Sequence, residues 1–160
     1  MSEPEIREGE EQLGFDPLER IDAEIRFIGR IRTPWSRGNC PKNVTRARES
    51  GEGATVELEP EFARGLTGLE VGQGILLFYW MHQARRDLIT QRPRHRPEAC
   101  GTYALRSPNR VNPISLGAVR ITSLDLEAGV IGIDAIDCFD GTPLVDIKPS
   151  APAVDVPPAL

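Results

Sequence analysis

Hydrophobic and polar residues alternate in several short stretches of this chain. Residues 25–32 place isoleucine, phenylalanine and glycine among arginines, and Val56 and Leu58 alternate with Glu57 and Glu59. A period of two residues is typical of a strand with one buried face. Residues 74–81 are instead apolar throughout, which predicts a strand buried on both faces.

Shorter apolar stretches follow in the second half of the chain. They predict four more strands, at residues 101–105, 116–126, 130–136 and 144–147. Pro60 predicts a short helical turn, because its fixed backbone angle suits the first position of a helix. Residues 36–53 show no period and are predicted to form a long loop.

Short strands therefore dominate, and helical periodicity is weak. We predict a mainly β chain with a single closed or nearly closed β-barrel, short helical turns and long loops, since closure removes exposed strand edges. The predicted organisation is an acidic, flexible leader (residues 1–24), the barrel domain (25–150) and an extended proline-rich tail (151–160).

Charged residues are segregated along the chain. Of its 160 residues, 19 are lysine or arginine and 24 are aspartate or glutamate, which gives a net charge of -5. The first 25 residues hold nine acids and two arginines, whereas residues 82–110 hold seven arginines and two acids. Clustered arginines suit phosphate or RNA contacts, although a solubilising loop would have the same composition.

Several classes of protein are excluded by what the sequence lacks. No apolar run approaches the roughly 18 residues of a membrane span, and the three cysteines form no CxxC pair typical of a zinc site or a disulfide scaffold. The sequence shows no secretory signal, so we expect a cytoplasmic protein. We expect no metal site, because the two histidines cannot build most such sites and no HExxH motif occurs.

Two polar motifs carry the candidate chemistry. Residues 106–114 (Arg-Ser-Pro-Asn-Arg-Val-Asn-Pro-Ile) form either a rigid loop rich in hydrogen-bond donors or a strand connection held by Asx turns. Residues 133–149 contain four aspartates beside apolar strand residues. These carboxylates could bind ribose hydroxyls or an ammonium group, or they could simply cap turns.

Both motifs resemble those of the TsaA-like (TrmO) family of tRNA N6-threonylcarbamoyladenosine methyltransferases. Residues 106–114 are similar to its TRSPxRPNPIG, and residues 137–149 are similar to its DLxDGTPxxDIKPY. Residues 28–34 resemble its opening IGxIRSP, while Gly68-Leu69-Glu70 and Trp80-Met81-His82 resemble its central elements. The resemblance extends from about residue 25 to residue 148.

The resemblance implies a β-barrel enzyme that binds S-adenosylmethionine without a Rossmann fold and acts as a homodimer on the anticodon stem-loop of tRNA. The cofactor-binding residues that it implies are Val44, Thr45, Arg46, His82, Gln83, Arg106, Leu116, Asp134, Ala135, Ile136 and Asp137.

Residue chemistry suggests roles within this site. Asp134 or Asp137 could accept hydrogen bonds from the ribose or the amine of the cofactor, and Arg106 could clamp its carboxylate. Asp140 is the candidate general base and Asn112 the candidate substrate-positioning residue, although a phosphate-bound water could replace Asp140 as base. The candidate RNA-binding residues are Arg85, Arg86, Arg92, Arg94, Arg96, Arg110 and Lys148.

Three positions, Leu105, Val111 and Ser115, depart from the family pattern and could change which substrate is accepted. The bacterial tRNA enzymes of the family carry a further C-terminal domain that helps to hold tRNA, and we expect none after residue 148 here. The arginines would then hold the anticodon stem-loop alone or through a dimer. Two alternatives stay open: S-adenosylmethionine-dependent methylation of another small or nucleic-acid substrate, and a non-catalytic RNA- or nucleotide-binding barrel.

Overall fold

The computed structural model describes residues 5–160, which form two compact units. One unit contains Arg26–Trp80 and Leu116–Leu160, and the other contains residues 5–25 together with Met81–Ser115. Residues 1–4 of the predicted leader lie outside the described part of the chain.

Short strands make up most of the regular structure. In chain order they are β1 (Glu11–Gln12), β2 (Gly29–Arg32), β3 (Ala54–Leu58), β4 (Gly74–Trp80), β5 (Leu88–Gln91), β6 (Cys100–Gly101), β7 (Ile114–Asp125), β8 (Val130–Ile133) and β9 (Thr142–Pro149). The helices are α1 (Val44–Glu49), α2 (Pro152–Asp155) and two 3₁₀ helices, Pro60–Leu66 and Thr102–Ala104.

Six of the strands close into a barrel in the order β2-β3-β8-β7-β4-β9. Ile31 of β2 lies opposite Val56 of β3, which lies opposite Ile131 of β8. All three side chains are fully buried, so the barrel interior is a packed apolar core. The predicted mainly β fold with a closed barrel is confirmed.

Strand β4 differs from its prediction in how it is buried. Ile75, Leu77 and Tyr79 point into the core, whereas the alternate residues Leu76 and Phe78 are only half-buried. The prediction of burial on both faces was wrong, because a barrel strand turns only alternate side chains towards the core.

Local structure departs from the sequence pattern in other places. The predicted loop 36–53 contains helix α1, whose N-cap Asn43 accepts a hydrogen bond from the Arg46 backbone. Six residues are too few to show a helical period. The predicted strand 101–105 is instead the two-residue β6 followed by a 3₁₀ helix, and β5 lies unpredicted within the basic segment.

A three-stranded sheet in the order β1-β5-β6 organises the second unit. Thr90 of β5 lies opposite Glu11 of β1 on one side and Gly101 of β6 on the other. The acidic leader therefore supplies one edge strand of this sheet. Its predicted flexibility in solution stays a prediction.

The C-terminal tail is not extended throughout. Pro152 begins helix α2, and the Asp155 carboxylate accepts a hydrogen bond from the Ala151 backbone. The expectation of a fully extended tail was wrong here, because proline suits the first helical position and an acidic side chain satisfies the free amide. None of the helices between residues 5 and 160 combines the length and apolar character needed to cross a bilayer.

Candidate functional site

A carboxylate-bearing turn, residues 134–140, follows strand β8 in the barrel unit. Asp134 begins it, and its two oxygens accept hydrogen bonds from the Arg48 Nε at 2.6 Å and from the Arg120 backbone at 2.7 Å. Burial by itself raises the pKa of Asp134, but these hydrogen bonds outweigh it and hold the pKa below its usual value. Asp134 is therefore an ionised anchor that connects this turn to helix α1 and strand β7.

The segment after β2 holds the same turn from a second side. The Trp35 indole donates to the Ile136 carbonyl at 3.0 Å, and the Asp140 amide donates to the Trp35 carbonyl at 2.8 Å. The Thr33 hydroxyl donates to the Cys138 carbonyl at 2.9 Å. Three hydrogen bonds over five residues fix the backbone of the turn.

The inner side of the turn packs on the apolar core. Ala135 and Ile136 are fully buried, and the Tyr79 hydroxyl donates to Asp137 at 3.3 Å. Gly117 of β7 lies directly beneath, since a Cβ at this position would come within 2.6 Å of the Ile136 Cδ1. The turn thus combines an apolar inner side with three carboxylates, those of Asp134, Asp137 and Asp140.

Cys40 lies beside this turn, although it was not predicted to belong to the site. Burial, followed by the negative charge of Asp137, raises the pKa of the Cys40 thiol to about 11. The Cys40 amide donates to the carbonyl of Ser36 at 3.2 Å, and the neighbouring Trp35 is one of the residues that hold the turn.

The three cofactor residues predicted on α1 are less clearly engaged. Val44 is half-buried, whereas Thr45 and Arg46 are exposed, and Arg46 pairs with Glu49 on the same helix at 2.7 Å. The α1 residue that reaches the turn is Arg48, which the sequence analysis missed. No local pattern could have revealed it, because its partner Asp134 is 86 residues away in sequence.

Asp140, the candidate base, has identified partners. Its carboxylate accepts a hydrogen bond from the Thr33 amide at 3.2 Å and lies 3.5 Å from the Arg32 guanidinium. These contacts tie the Asp140 side chain to the end of β2, although half of the side chain is exposed to solvent. The role of general base stays a prediction.

The motif at residues 106–114 belongs to the other unit and forms a braced loop. Arg110 donates to the carbonyls of Leu105 and Ser107, both at 3.1 Å. Asn109 accepts a hydrogen bond from the Arg85 backbone at 3.3 Å, and Asn112 accepts one from the Arg86 guanidinium at 3.4 Å. The loop is therefore braced by Arg110 from within and by Arg85 and Arg86 from outside the motif.

Most arginines of the basic segment make contacts within their own unit. Arg85 is almost buried and pairs with Asp87 through two hydrogen bonds at 2.7 and 2.8 Å. Arg86 donates to the Val111 carbonyl at 2.5 Å, and Arg92 lies 3.5 Å from Glu8. The predicted RNA-binding side chains that are exposed are Arg94, Arg96 and Lys148. RNA binding by the whole set stays a prediction.

The predicted cofactor residues are divided between the two units. The barrel unit holds Val44, Thr45, Arg46, Leu116 and the run from Asp134 to Asp137. The other unit holds His82, Gln83 and Arg106, all of which are exposed.

A separate cavity of about 460 Å³ lies elsewhere in the barrel unit. Apolar side chains such as Ile28, Phe62 and Leu66 line it, and its lining includes none of the predicted cofactor residues. We assign the candidate site to the turn rather than to this cavity, because the turn carries three aspartates whereas the cavity lining includes one, Asp146.

The chemistry of the turn fits S-adenosylmethionine. This molecule needs acceptors for its ribose hydroxyls and amine and an apolar surface for its adenine. Asp137 beside Tyr79 provides an acceptor, and the fully buried Ala135 and Ile136 pack the turn against the core and hold that acceptor in place. Within residues 5–160, no group of three or more His, Cys, Asp or Glu side chains could hold a metal ion.

Comparison with known proteins agrees with this chemistry. Residues 30–156 match the family model of the tRNA-methyltransferase O N-terminal domain. The probable S-adenosyl-L-methionine-binding protein VirR of Rhizobium radiobacter is 37% identical over 132 residues, which are 82% of this chain and 73% of VirR. A probable S-adenosyl-L-methionine-binding protein of Methanothermobacter thermautotrophicus is 31% identical, over 84% of this chain and 95% of the relative.

Solved structures show the same fold. The TrmO crystal structure from Pseudomonas aeruginosa aligns with a TM-score of 0.66 at 28% identity, and another TrmO structure aligns with a TM-score of 0.67 at 30% identity. These alignments cover 85% of this chain but only 59% and 61% of those chains. The predicted family is confirmed: the chain belongs to the tRNA-methyltransferase O N-terminal domain family.

Proposed function

We propose that this chain transfers a methyl group from S-adenosylmethionine to N6 of threonylcarbamoyladenosine, next to the anticodon of tRNA. The observation that carries the proposal is the carboxylate-bearing turn, which is fixed by Arg48 and Trp35 over an apolar floor. Family membership and the S-adenosylmethionine-binding relatives support it. A homodimer and a cytoplasmic location are part of the same proposal.

The turn residues have separate roles in this proposal. When bound, S-adenosylmethionine supplies an activated methyl group on its sulfonium. Asp137 would accept hydrogen bonds from the ribose or the amine, and Asp134 would hold the turn, because its oxygens already accept from Arg48 and Arg120. A floor that needs no rearrangement lowers the entropic cost of aligning the reacting groups.

Methyl transfer to the carbamoylated adenine N6 requires the loss of one proton from that nitrogen. Asp140 is the residue of the turn that we assign to accept it, because it is the most exposed of the three aspartates of the turn. We expect Asp140→Asn to slow the single-turnover rate at saturating cofactor. An unchanged rate would remove Asp140 as the base and leave a water to take the proton.

The function is tested on tRNA itself. The full chain is incubated with S-adenosylmethionine and tRNA that carries threonylcarbamoyladenosine, and the nucleosides are analysed by mass spectrometry. The expected product is the N6-methylated nucleoside, and it should disappear from the tRNA of a deletion strain. An unchanged level of the methylated nucleoside in that strain would contradict the proposal.

A second candidate function is methylation of a different small or nucleic-acid substrate. One observation favours it: several arginines of the basic segment are engaged within their own unit. Calorimetry separates the two candidates. Cofactor binding without any tRNA binding supports the second one. A non-catalytic RNA-binding barrel predicts no affinity for S-adenosylmethionine at all.

A further inference from the structure

The acidic leader and the basic segment belong to one compact unit of the structure. Residues 5–25 carry eight acids and two arginines, whereas Met81–Ser115 carries seven arginines and two acids. The two charge excesses nearly cancel. The leader therefore neutralises the segment to which RNA contacts would be assigned.

Specific contacts hold the first part of the leader on β5. The Glu10 carboxylate accepts hydrogen bonds from the Arg92 amide at 3.1 Å and from the Arg7 amide at 3.0 Å. The Leu13 amide donates to the Asp87 carbonyl at 2.7 Å, and the Glu8 carboxylate lies 3.5 Å from the Arg92 guanidinium. Residues 7–13 thus cover one edge of β5 and the charge of Arg92.

This attachment is shallow. None of the side chains at residues 5–25 is buried, and β1 has only two residues. The Glu8 side chain is 94% exposed, so its pairing with Arg92 is a surface ion pair that contributes little to stability. Segments that bury few apolar groups open at low free-energy cost.

We propose that the leader is an internal competitor of RNA. Residues 5–13 occupy the β5 edge and the Arg92 charge, so the basic segment binds an RNA polyanion fully only after the leader has been displaced. The inference rests on the proposed function in so far as RNA is the substrate. Its physical basis is that RNA affinity depends on the phosphates that free cations can neutralise, and an attached acidic strand lowers that number.

The experiment compares variants of the full chain for binding of a fluorescent anticodon stem-loop RNA. The test variant is Glu5→Gln/Glu8→Gln/Glu11→Gln, which removes exposed leader charge but keeps Glu10. The matched control is Glu52→Gln/Glu70→Gln/Glu127→Gln, which changes the net charge equally on exposed residues of the barrel unit. Anisotropy is measured at several salt concentrations.

We expect the leader variant to bind RNA about tenfold more tightly at low salt, with a steeper dependence on salt, and the control to change much less. A synthetic peptide of residues 5–13 should compete with RNA for the full-length leader variant. Equal gains in the leader variant and the control would overturn the inference, because they would indicate a general charge effect. Unchanged affinity in both would overturn it as well.

Nucleoside mass spectrometry on the same variants separates this inference from the proposed function. Methylation of tRNA with no effect of the leader on affinity would leave the function standing and remove the competitor role. A gain in RNA affinity in the leader variant without any methylation would leave the competitor role standing and contradict the proposed function. No RNA binding by any variant would contradict both.

Discussion

Arg48 in helix α1 donates from its Nε to the Asp134 carboxylate at 2.6 Å, which ties the helix to the end of β8. The Arg48 guanidinium also donates to the Ala118 carbonyl at 3.3 Å. One side chain thus joins α1, β7 and the carboxylate-bearing turn. Arg48, which belongs to none of the sequence motifs, therefore sets the position of the turn that carries the candidate chemistry.

Replacing Arg48 tests this connection. Both side chains are partly exposed, so we expect Arg48→Met to cost about 1 kcal/mol in S-adenosylmethionine binding, or roughly a fivefold higher Kd. Arg26→Met is the matched control, because Arg26 also pairs with a carboxylate, that of Glu61, and is not a candidate cofactor residue. Calorimetry measures the Kd of S-adenosylmethionine for both variants. Equal losses in the two variants would argue against the positioning role.

Gly117 tests the floor of the turn. A methyl group there would lie 2.6 Å from the Ile136 Cδ1, so Gly117→Ala must displace Ile136. We expect a loss of about 1–3 kcal/mol in unfolding free energy, together with weaker cofactor binding. Gly65→Ala should have little effect, because nothing lies within 4 Å of the added atom. Urea denaturation at constant pH gives the unfolding free energies of both glycine variants.

The Arg85–Asp87 pair predicts acid sensitivity of the second unit. Hydrogen bonds from Arg85, which outweigh burial, and a further one from Gln12 lower the pKa of Asp87 from 3.8 to about 2. This lowered pKa means that the stabilisation is complete above about pH 4 and is lost as the pH falls towards 2.

We therefore expect Asp87→Asn to be about 2 kcal/mol less stable than the parent at neutral pH and nearly equal to it near pH 2. Urea unfolding is monitored by circular dichroism at several pH values between neutral pH and pH 2. It measures the difference in unfolding free energy between the variant and the parent. Asp22→Asn removes an exposed carboxylate as a control and should follow the parent. A difference in unfolding free energy between Asp87→Asn and the parent that stayed the same at every pH would show that Asp87 does not act through its charge.

Cysteine labelling tests the place of Cys40 beside Asp137. Because burial and the Asp137 charge raise the Cys40 pKa to about 11, its thiol should react slowly with iodoacetamide at pH 8. Asp137→Asn should speed the reaction severalfold by lowering that pKa. Cys138, which is buried and has a pKa of about 12, should react only in denaturant. Peptide mass spectrometry assigns each site.

The arginines of the basic segment should separate into two groups. Arg94→Ala and Arg96→Ala remove exposed charges, so each should weaken RNA binding and lower the salt slope by about 1 without changing stability. Arg110→Ala removes donors to two carbonyls and should lower the melting temperature. Arg64→Ala in the barrel unit is the charge control. A lower melting temperature in all four variants would contradict the separation of exposed, RNA-binding arginines from arginines that stabilise the fold.

How far the sequence predicts this molecule depends on the range of its interactions. The apolar run of β4 and the alternation around Val56 lie within one strand, so local pattern was enough to predict them. Helix α1 has six residues, fewer than two turns, and no periodicity could build up. Strand β5 is short and surrounded by arginines, which concealed it.

The candidate site shows the same division. The aspartates after β8 were predicted because they follow an apolar strand in a specific motif. Arg48, Trp35 and Cys40 were missed, because they meet the turn only after the barrel has closed. The leader resembled a solvated extension by composition, and its pairing with β5 depends on a partner about 80 residues away, as the contact between Arg92 and Glu10 shows.

Closure of the barrel has a consequence for self-association. Every barrel strand has a hydrogen-bonded neighbour on both sides, so the barrel offers another chain no strand edge to which it could add. The remaining edges of the described sheets, β1 and β6, are two residues long each. Copies of this chain that meet at high concentration would therefore have to associate through side chains, and the route to fibre-like aggregates by edge pairing is nearly closed as long as the barrel stays folded.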